Sequence, residues 1–170
     1  LWRTRSLLRS TYYLMSQLRR VLVFPGGTEI GLEIHRSLVD CKDIELHGGG
    51  IPTHNHGPYV FRRWHPLPSI HEEGWLDALV EVITREKIEY VFPAYDDIIV
   101  ALQEQQHRIP AVIVTSPLET CRITRQKSET YRILHDIVPV PRTYQNAALV
   151  DVFPVFIKPD RGQGSQGAWR

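Results

Sequence analysis

Four short apolar runs frame this chain: VLVF in Val21–Gly27, IEL in the segment DIELHGGG, YVF in EYVFPAY, and AVIV at the start of Ala111–Pro117. Between them lie stretches whose apolar residues recur every three or four positions. Runs this short, rich in β-branched and aromatic residues and bounded by Pro, Gly and Ser, read as strands buried on both faces. After the first run, Ile30, Ile34 and Leu38 mark one helix face, with Thr28 placed to cap it. Leu76, Leu79, Val80 and Ile83 mark a second face, and IIVALQEQQH a third helix. The segment from Ile51 to His71 has abundant Pro, Gly, His and Asn, and is expected to be a loop with one short strand at YVFRRW. Strands alternating with helices predict an α/β fold with a Rossmann-like, doubly wound parallel sheet, whose carboxyl-terminal loops form the functional edge.

Charge and cysteine usage narrow the classes of function. Lys+Arg of 20 against Asp+Glu of 19 give a net charge of +1, too little for a global field that draws in nucleic acid or an anionic membrane. No apolar run reaches the roughly 18 residues a membrane helix needs. The two cysteines, Cys41 and Cys121, lie far apart without C-x-x-C spacing, and read as buried, reduced thiols of a cytoplasmic protein.

The first 20 residues carry five Arg and no acid, and are expected to stand outside the fold. They read either as a basic targeting-type segment or as sequence upstream of a start at Met15, the chain's only methionine; the second reading is preferred. Residues 1–14 hold Arg3, Arg5 and Arg9, so a chain starting at Met15 has a charge of 1 − 3 = −2.

Beyond Pro117 the pattern changes. LETCRITRQKSETYRILHD is helical, IVPVPRTY is an extended connector, and Val152–Pro159 reads as a strand that ends in Lys158-Pro159. A glycine segment follows, with Gly162, Gly164, Ser165 and Gly167 in a G-x-G-x-x-G spacing. Glycines permit close approach, so several N–H groups can face one anion, with the Ser165 hydroxyl and the Lys158 ammonium beside it. After the first strand, GGTEIG lacks the third-glycine spacing of a dinucleotide fingerprint, and the Gly-Lys-Ser/Thr of a P-loop does not occur.

The order of these pieces resembles the ATP-grasp superfamily, and more narrowly the relatives of the carbamoyl-phosphate synthase large subunit. Residues 21–117 correspond to the pre-ATP-grasp domain, and residues 118–170 to the beginning of an ATP-grasp α+β domain. Gln126-Lys127 through Pro139-Val140-Pro141 match the family's "DK…L…G-I-P-x-P" segment, and Lys158, Pro159, Gly162, Gly164, Ser165 and Gly167 its "K-P-x-x-G-x-G-S-x-G". Gln126 stands where the family commonly has Asp. The resemblance implies ATP bound by Lys127, Lys158 and the glycine segment, with Mg²⁺ ligands expected farther along than Arg170. It implies a ligase acting on a small carboxylate through an acylphosphate, with this chain as its amino-terminal part, inactive alone. A homodimer, or a separate carboxyl-terminal partner chain, would complete it.

Asp96 and Asp97 fall at a strand's carboxyl end, where open α/β sheets bind ligands, and Thr28 and Glu29 follow the first strand in the same way. Asp96, Thr28 and Glu29 are therefore candidate substrate contacts, although helix capping explains such residues equally well. His47, His54, His56, His65 and His71 crowd one stretch. H-N-H in a Gly-Pro loop does not place ligands on one helix face, so no metal site is expected. The alternative to a ligase is a non-catalytic Rossmann-like module that binds a nucleotide or another small molecule.

Overall fold

The computed structural model describes residues 18–52, 54–162 and 167–169. Residues 1–17 of the basic extension lie outside them, as do Gly164 and Ser165. The chain divides into two compact units, Leu1–Thr115 and Ser116–Arg170.

The first unit is built on β1 (Arg19–Phe24), whose last four residues are buried because strands flank it on both sides. Thr28 caps α1 (Glu29–Leu38), its hydroxyl oxygen accepting from the Gly31 N–H at 3.0 Å. There follow β2 (Ile44–Gly50), the short α2 (Gly57–Val60), β3 (Arg63–Pro66) and α3 (Trp75–Glu86). β4 (Tyr90–Pro93), α4 (Asp96–Glu104), a 3₁₀ turn at Gln106–Arg108 and β5 (Val112–Ile113) complete the unit. The five strands lie in the order β3-β2-β1-β4-β5, and every pair is parallel. The expected α/β architecture is thus present.

Alternation along β1 separates two cores. Leu22 and Phe24 face Leu76, Leu79 and Ile83 of α3 and Ile98 and Leu102 of α4. Val23 faces the opposite way, with Phe61, Ala94 and Ile34. Leu22, Leu79 and Leu102 are fully buried, each contributing about 1.5–3 kcal/mol relative to exposure.

Three details depart from the sequence reading. The glycines of DIELHGGG continue β2 instead of ending it, because neighbours fill the space above them. A Cβ on Gly48 would lie 2.4 Å from Cγ of Phe61. YVFRRW is split: Tyr59 and Val60 close α2, which has Pro58 in its first turn, and the strand starts at Arg63. The strand expected over Val152–Pro159 is reduced to one antiparallel bridge, Ile157 with Trp169, since Pro154 and Pro159 bring no N–H to a ladder. Cys121 is buried, its thiol donating to Ser116 O at 3.1 Å, whereas Cys41, expected to be buried, is only half-buried; neither is in a disulfide.

The Gly48 contact makes a prediction. Gly48→Ala forces the Phe61 ring off its seat, and such overpacking costs about 1–3 kcal/mol. A urea-unfolding midpoint unchanged from wild type would show that the ring yields freely.

The second unit contains α5 (Leu118–Arg125), α6 (Lys127–Leu134) and a 3₁₀ turn at Ala147–Leu149. The two helices break at Gln126, where the backbone is extended. No helix among the described residues is long and apolar enough to cross a membrane.

Candidate functional site

The carboxyl ends of β1, β2, β3 and β4 surround a cavity of about 450 Å³. Phe24, Ile51, Ile70, Tyr95 and Ile98 give it apolar walls, and Thr28, Asn55, Ser69, His71 and Asp97 supply polar groups. Several of these polar groups are committed to the fold. The Thr28 hydroxyl donates towards Ala94 O at 3.0 Å and Pro25 O at 3.2 Å while capping α1. Asn55 donates to Ile51 O at 2.6 Å and accepts from the Gly57 N–H at 2.9 Å. Thr28 therefore shapes the cavity by tying the β1 turn to the β4 turn. Asp97 lines the cavity, whereas Asp96 and Glu29, in the first turns of α4 and α1, are not among its lining residues. Among the described residues its lining includes no Lys or Arg, so it suits the uncharged or cationic part of a ligand better than a phosphate.

In the second unit the two candidate lysines are organised by α6. Lys127 opens the helix, and its ammonium donates to the carbonyls of Asp160 and Gly162, each at 3.2 Å. Tyr131 lies four residues on, hence on the same face of α6. Its hydroxyl accepts from the Lys158 ammonium at 2.7 Å. That nitrogen is 5.2 Å from the ring centroid, a separation set by the hydroxyl contact, so the pair is a hydrogen bond at the ring's edge and not a cation over its face. The Asp160 carboxylate accepts from the Ser128 N–H at 2.7 Å and from the Ser128 hydroxyl at 3.0 Å, and Arg161 donates to the Gln126 side chain at 3.1 Å.

The glycine segment itself is closed at its stem by Ile157 and Trp169, which exchange two backbone hydrogen bonds of 2.7 Å. Gly167 has φ +69, a left-handed conformation that disfavours any side chain. The structure thus gathers Lys127, Lys158 and Gly162 around α6 and places Gly167 next to the stem. Sequence reasoning missed Ser128, Tyr131 and Asp160. The i, i+4 spacing of Lys127 and Tyr131 was readable, but the partner of Ser128 lies 32 residues away.

The histidines sort differently from their crowding in sequence. His47 Nδ1 and His65 Nε2 are 2.9 Å apart, with ring planes within 12° and centroids at 5.2 Å. Two rings so close at their nitrogens and so far at their centres lie edge to edge in one plane, sharing a proton. They form a cluster with Glu86 in which all three donor atoms lie within 4.8 Å. His54, His56 and His71 are not part of it. His47 is 1% exposed, and burial, reinforced by His65, pushes its pKa down to about 4. Burial lowers that of His65 as well. Nearby Glu45 is held by Arg20 at 3.0 Å and Arg63 at 2.6 Å, and Glu86 by Arg85 at 3.0 Å.

No family model matches the chain, and no curated protein matches it. Among solved structures it is similar to pyruvate carboxylase from Rhizobium etli, in a structure with the allosteric activator acetyl coenzyme-A. The TM-score is 0.61 and the identity 16%, over 91% of this chain and 15% of that one. A biotin carboxylase–beta-gamma-ATP complex from Campylobacter jejuni gives a TM-score of 0.58 at 14% identity, over 92% of this chain and 39% of that one. Glycinamide-RNase-transformylase T from Mycobacterium tuberculosis gives 0.52 at 15%, over 69% and 35%. These likenesses show the fold alone, a mixed α/β arrangement with an all-parallel sheet. The chain spans 15% to 39% of the length of these three structures.

Proposed function

We propose that this chain is the amino-terminal part of an ATP-dependent ligase that joins a small carboxylate to an amine or a similar nucleophile. The observation that carries the reading is that one face of α6 engages both lysines: the Lys127 ammonium donates to Gly162 O at the root of the glycine segment, and the Lys158 ammonium, carried just upstream of that root, donates to Tyr131 one turn along the helix. Two ammonium groups beside such a loop suit a polyphosphate, whose charge they offset. Two similar structures are nucleotide complexes, the Campylobacter jejuni biotin carboxylase with beta-gamma-ATP and a biotin carboxylase domain from Hydrogenobacter thermophilus with MgADP and bicarbonate. Those likenesses support the reading at the level of the fold.

On this proposal residues 21–117 form a pre-ATP-grasp domain and residues 118–170 begin the ATP-grasp domain, in the manner of the carbamoyl-phosphate synthase large subunit. Lys127, Lys158, Gly162, Gly164, Ser165 and Gly167 hold ATP. The γ-phosphoryl group passes to a carboxylate oxygen and ADP departs. The nucleophile then attacks the carbonyl carbon, and phosphate leaves with the electrons of the broken C–O bond. Two lysines near the transferred phosphoryl oxygens stabilise charge that grows in the transition state. Mg²⁺ accompanies the nucleotide, with its carboxylate ligands supplied by other sequence. The cavity of the first unit suits the uncharged body of a small molecule, with Thr28 shaping its wall, and Asp96 and Glu29, in the first turns of α4 and α1, are offered as further substrate contacts. Phe153, Phe156 and Trp169, exposed by 75%, 63% and 71%, favour a completing partner in the second unit, either a second copy or a separate carboxyl-terminal chain. The protein works in the cytoplasm.

The test is hydrogen exchange with and without millimolar MgATP. Protection is expected in the first turn of α6 and across residues 160–168. No protection there, with a ligand instead found for the sheet-edge cavity, favours the non-catalytic binding module.

A further inference from the structure

We propose that Asp160 is a positioning residue of the glycine segment, fastening its root to the first turn of α6 so that both lysines are presented together. The inference rests on the ligase reading for its nucleotide, but on geometry alone for the clasp.

The first N–H groups of any helix have no partner within the helix. At α6 two of them are met by one residue: the Lys127 N–H donates to Asp160 O at 3.2 Å and the Ser128 N–H to Asp160 Oδ1 at 2.7 Å. The second carboxylate oxygen accepts from the Ser128 hydroxyl at 3.0 Å. The Lys127 ammonium returns to the same place, donating to Asp160 O and Gly162 O. Asp160 thus acts as an N-terminal cap supplied from another part of the chain, and its negative charge sits at the positive end of the helix. The Ser128 N–H, followed by desolvation working the other way, leaves its carboxyl below the usual range.

Two residues upstream of Asp160 the chain carries Lys158, whose ammonium is fixed by Tyr131 one turn farther along the same helix. The segment is therefore held at two successive turns of α6. If the clasp opens, Lys127 loses its carbonyl partners and the root of the segment leaves the helix, so that the two lysines are no longer held against successive turns of α6. Asp160 touches no phosphate in this scheme. It acts through Lys127 and the loop backbone.

The experiment compares Asp160→Ala, Asp160→Asn and Ser128→Ala in the full chain, reading hydrogen exchange at the Lys127 and Ser128 amides without ligand and the Kd for MgATP. Asp160→Ala is expected to speed exchange at the Ser128 amide at least tenfold and to weaken MgATP about tenfold. Asp160→Asn keeps a carbonyl oxygen for the Ser128 N–H, and should restore both values to within about threefold of wild type. Ser128→Ala, which removes only the hydroxyl contact, should fall between them. Unchanged exchange in Asp160→Ala overturns the clasp. Faster exchange with unaltered MgATP affinity overturns the positioning role. A wild-type chain that binds no MgATP overturns the ligase reading and the positioning role with it, while the clasp still stands or falls on amide exchange.

Discussion

Lys158→Ala is expected to weaken MgATP binding about 10- to 100-fold. A hydrogen bond involving a charged group contributes about 1.5–3 kcal/mol, and about 1.4 kcal/mol corresponds to a tenfold change in Kd. The effect should reach the upper part of that range because the ammonium is held in place by Tyr131, so little order has to be created when phosphate arrives. Lys158→Arg is expected to recover little, since a planar fork cannot take the position of a compact ammonium at the Tyr131 hydroxyl. Tyr131→Phe should lie between wild type and Lys158→Ala, because it frees the ammonium without removing its charge. Isothermal titration of the folded variants decides the matter. Wild-type affinity in Lys158→Ala would remove the lysine from the site.

Acidification supplies the second large effect. His47 has a pKa near 4 in the fold against 6.5 in a free chain, so between those values the unfolded state binds more protons. The stabilisation is fully present above pH 6.5 and is lost as pH falls towards 4, amounting to about 3 kcal/mol over the window. His65, shifted the same way, adds to the slope. Around the pair, the carboxylates of Glu45 and Glu86 favour a charged His47 and the guanidinium of Arg63 opposes it, while Arg85 opposes charge on His65. Glu45 and Glu86 have lowered pKa values of their own, so their loss of charge falls below about pH 4.5 and separates from the histidine window. Urea-unfolding free energies measured from pH 7.5 to 4.5 should fall steadily for wild type and much less for His47→Gln. Parallel slopes for the two proteins would show that the buried pair is not what titrates.

The regular part of this fold was legible because its signals are local. The run Val21–Phe24 and the stripe Leu76, Leu79, Ile83 each report their own environment through spacing alone, and the sheet follows from their alternation. What stayed hidden depends on register and distance. His47 meets His65 because β2 and β3 pair with Gly49 opposite His65, a fact that no count of histidines contains. The glycines of β2 look like a break until Phe61 and Leu67 are seen to fill the space beside Gly48 and Gly49. Asp160 reads as an ordinary turn residue, since helix capping is recognised in sequence only when the cap directly precedes its helix. Lys127 and Lys158 were identified through a family resemblance, yet their common seat on α6 requires Tyr131, which that resemblance did not mark.

The position of β1 at the centre of the sheet bears on how the chain is made. Among the described residues it precedes all the other strands in sequence, but its partner on one side, β4, begins with Tyr90 opposite Val21, a separation of 69 residues. At about 5–20 residues per second, a ribosome takes roughly 3–14 seconds to add that length. Throughout that interval an apolar strand with one open edge waits outside the exit tunnel, paired at best with β2. Nascent chains halted between Gly50 and Tyr90 should therefore be the most prone to aggregate and the most strongly retained by chaperones. Once Pro93 has emerged, the edge is closed and that susceptibility should fall abruptly.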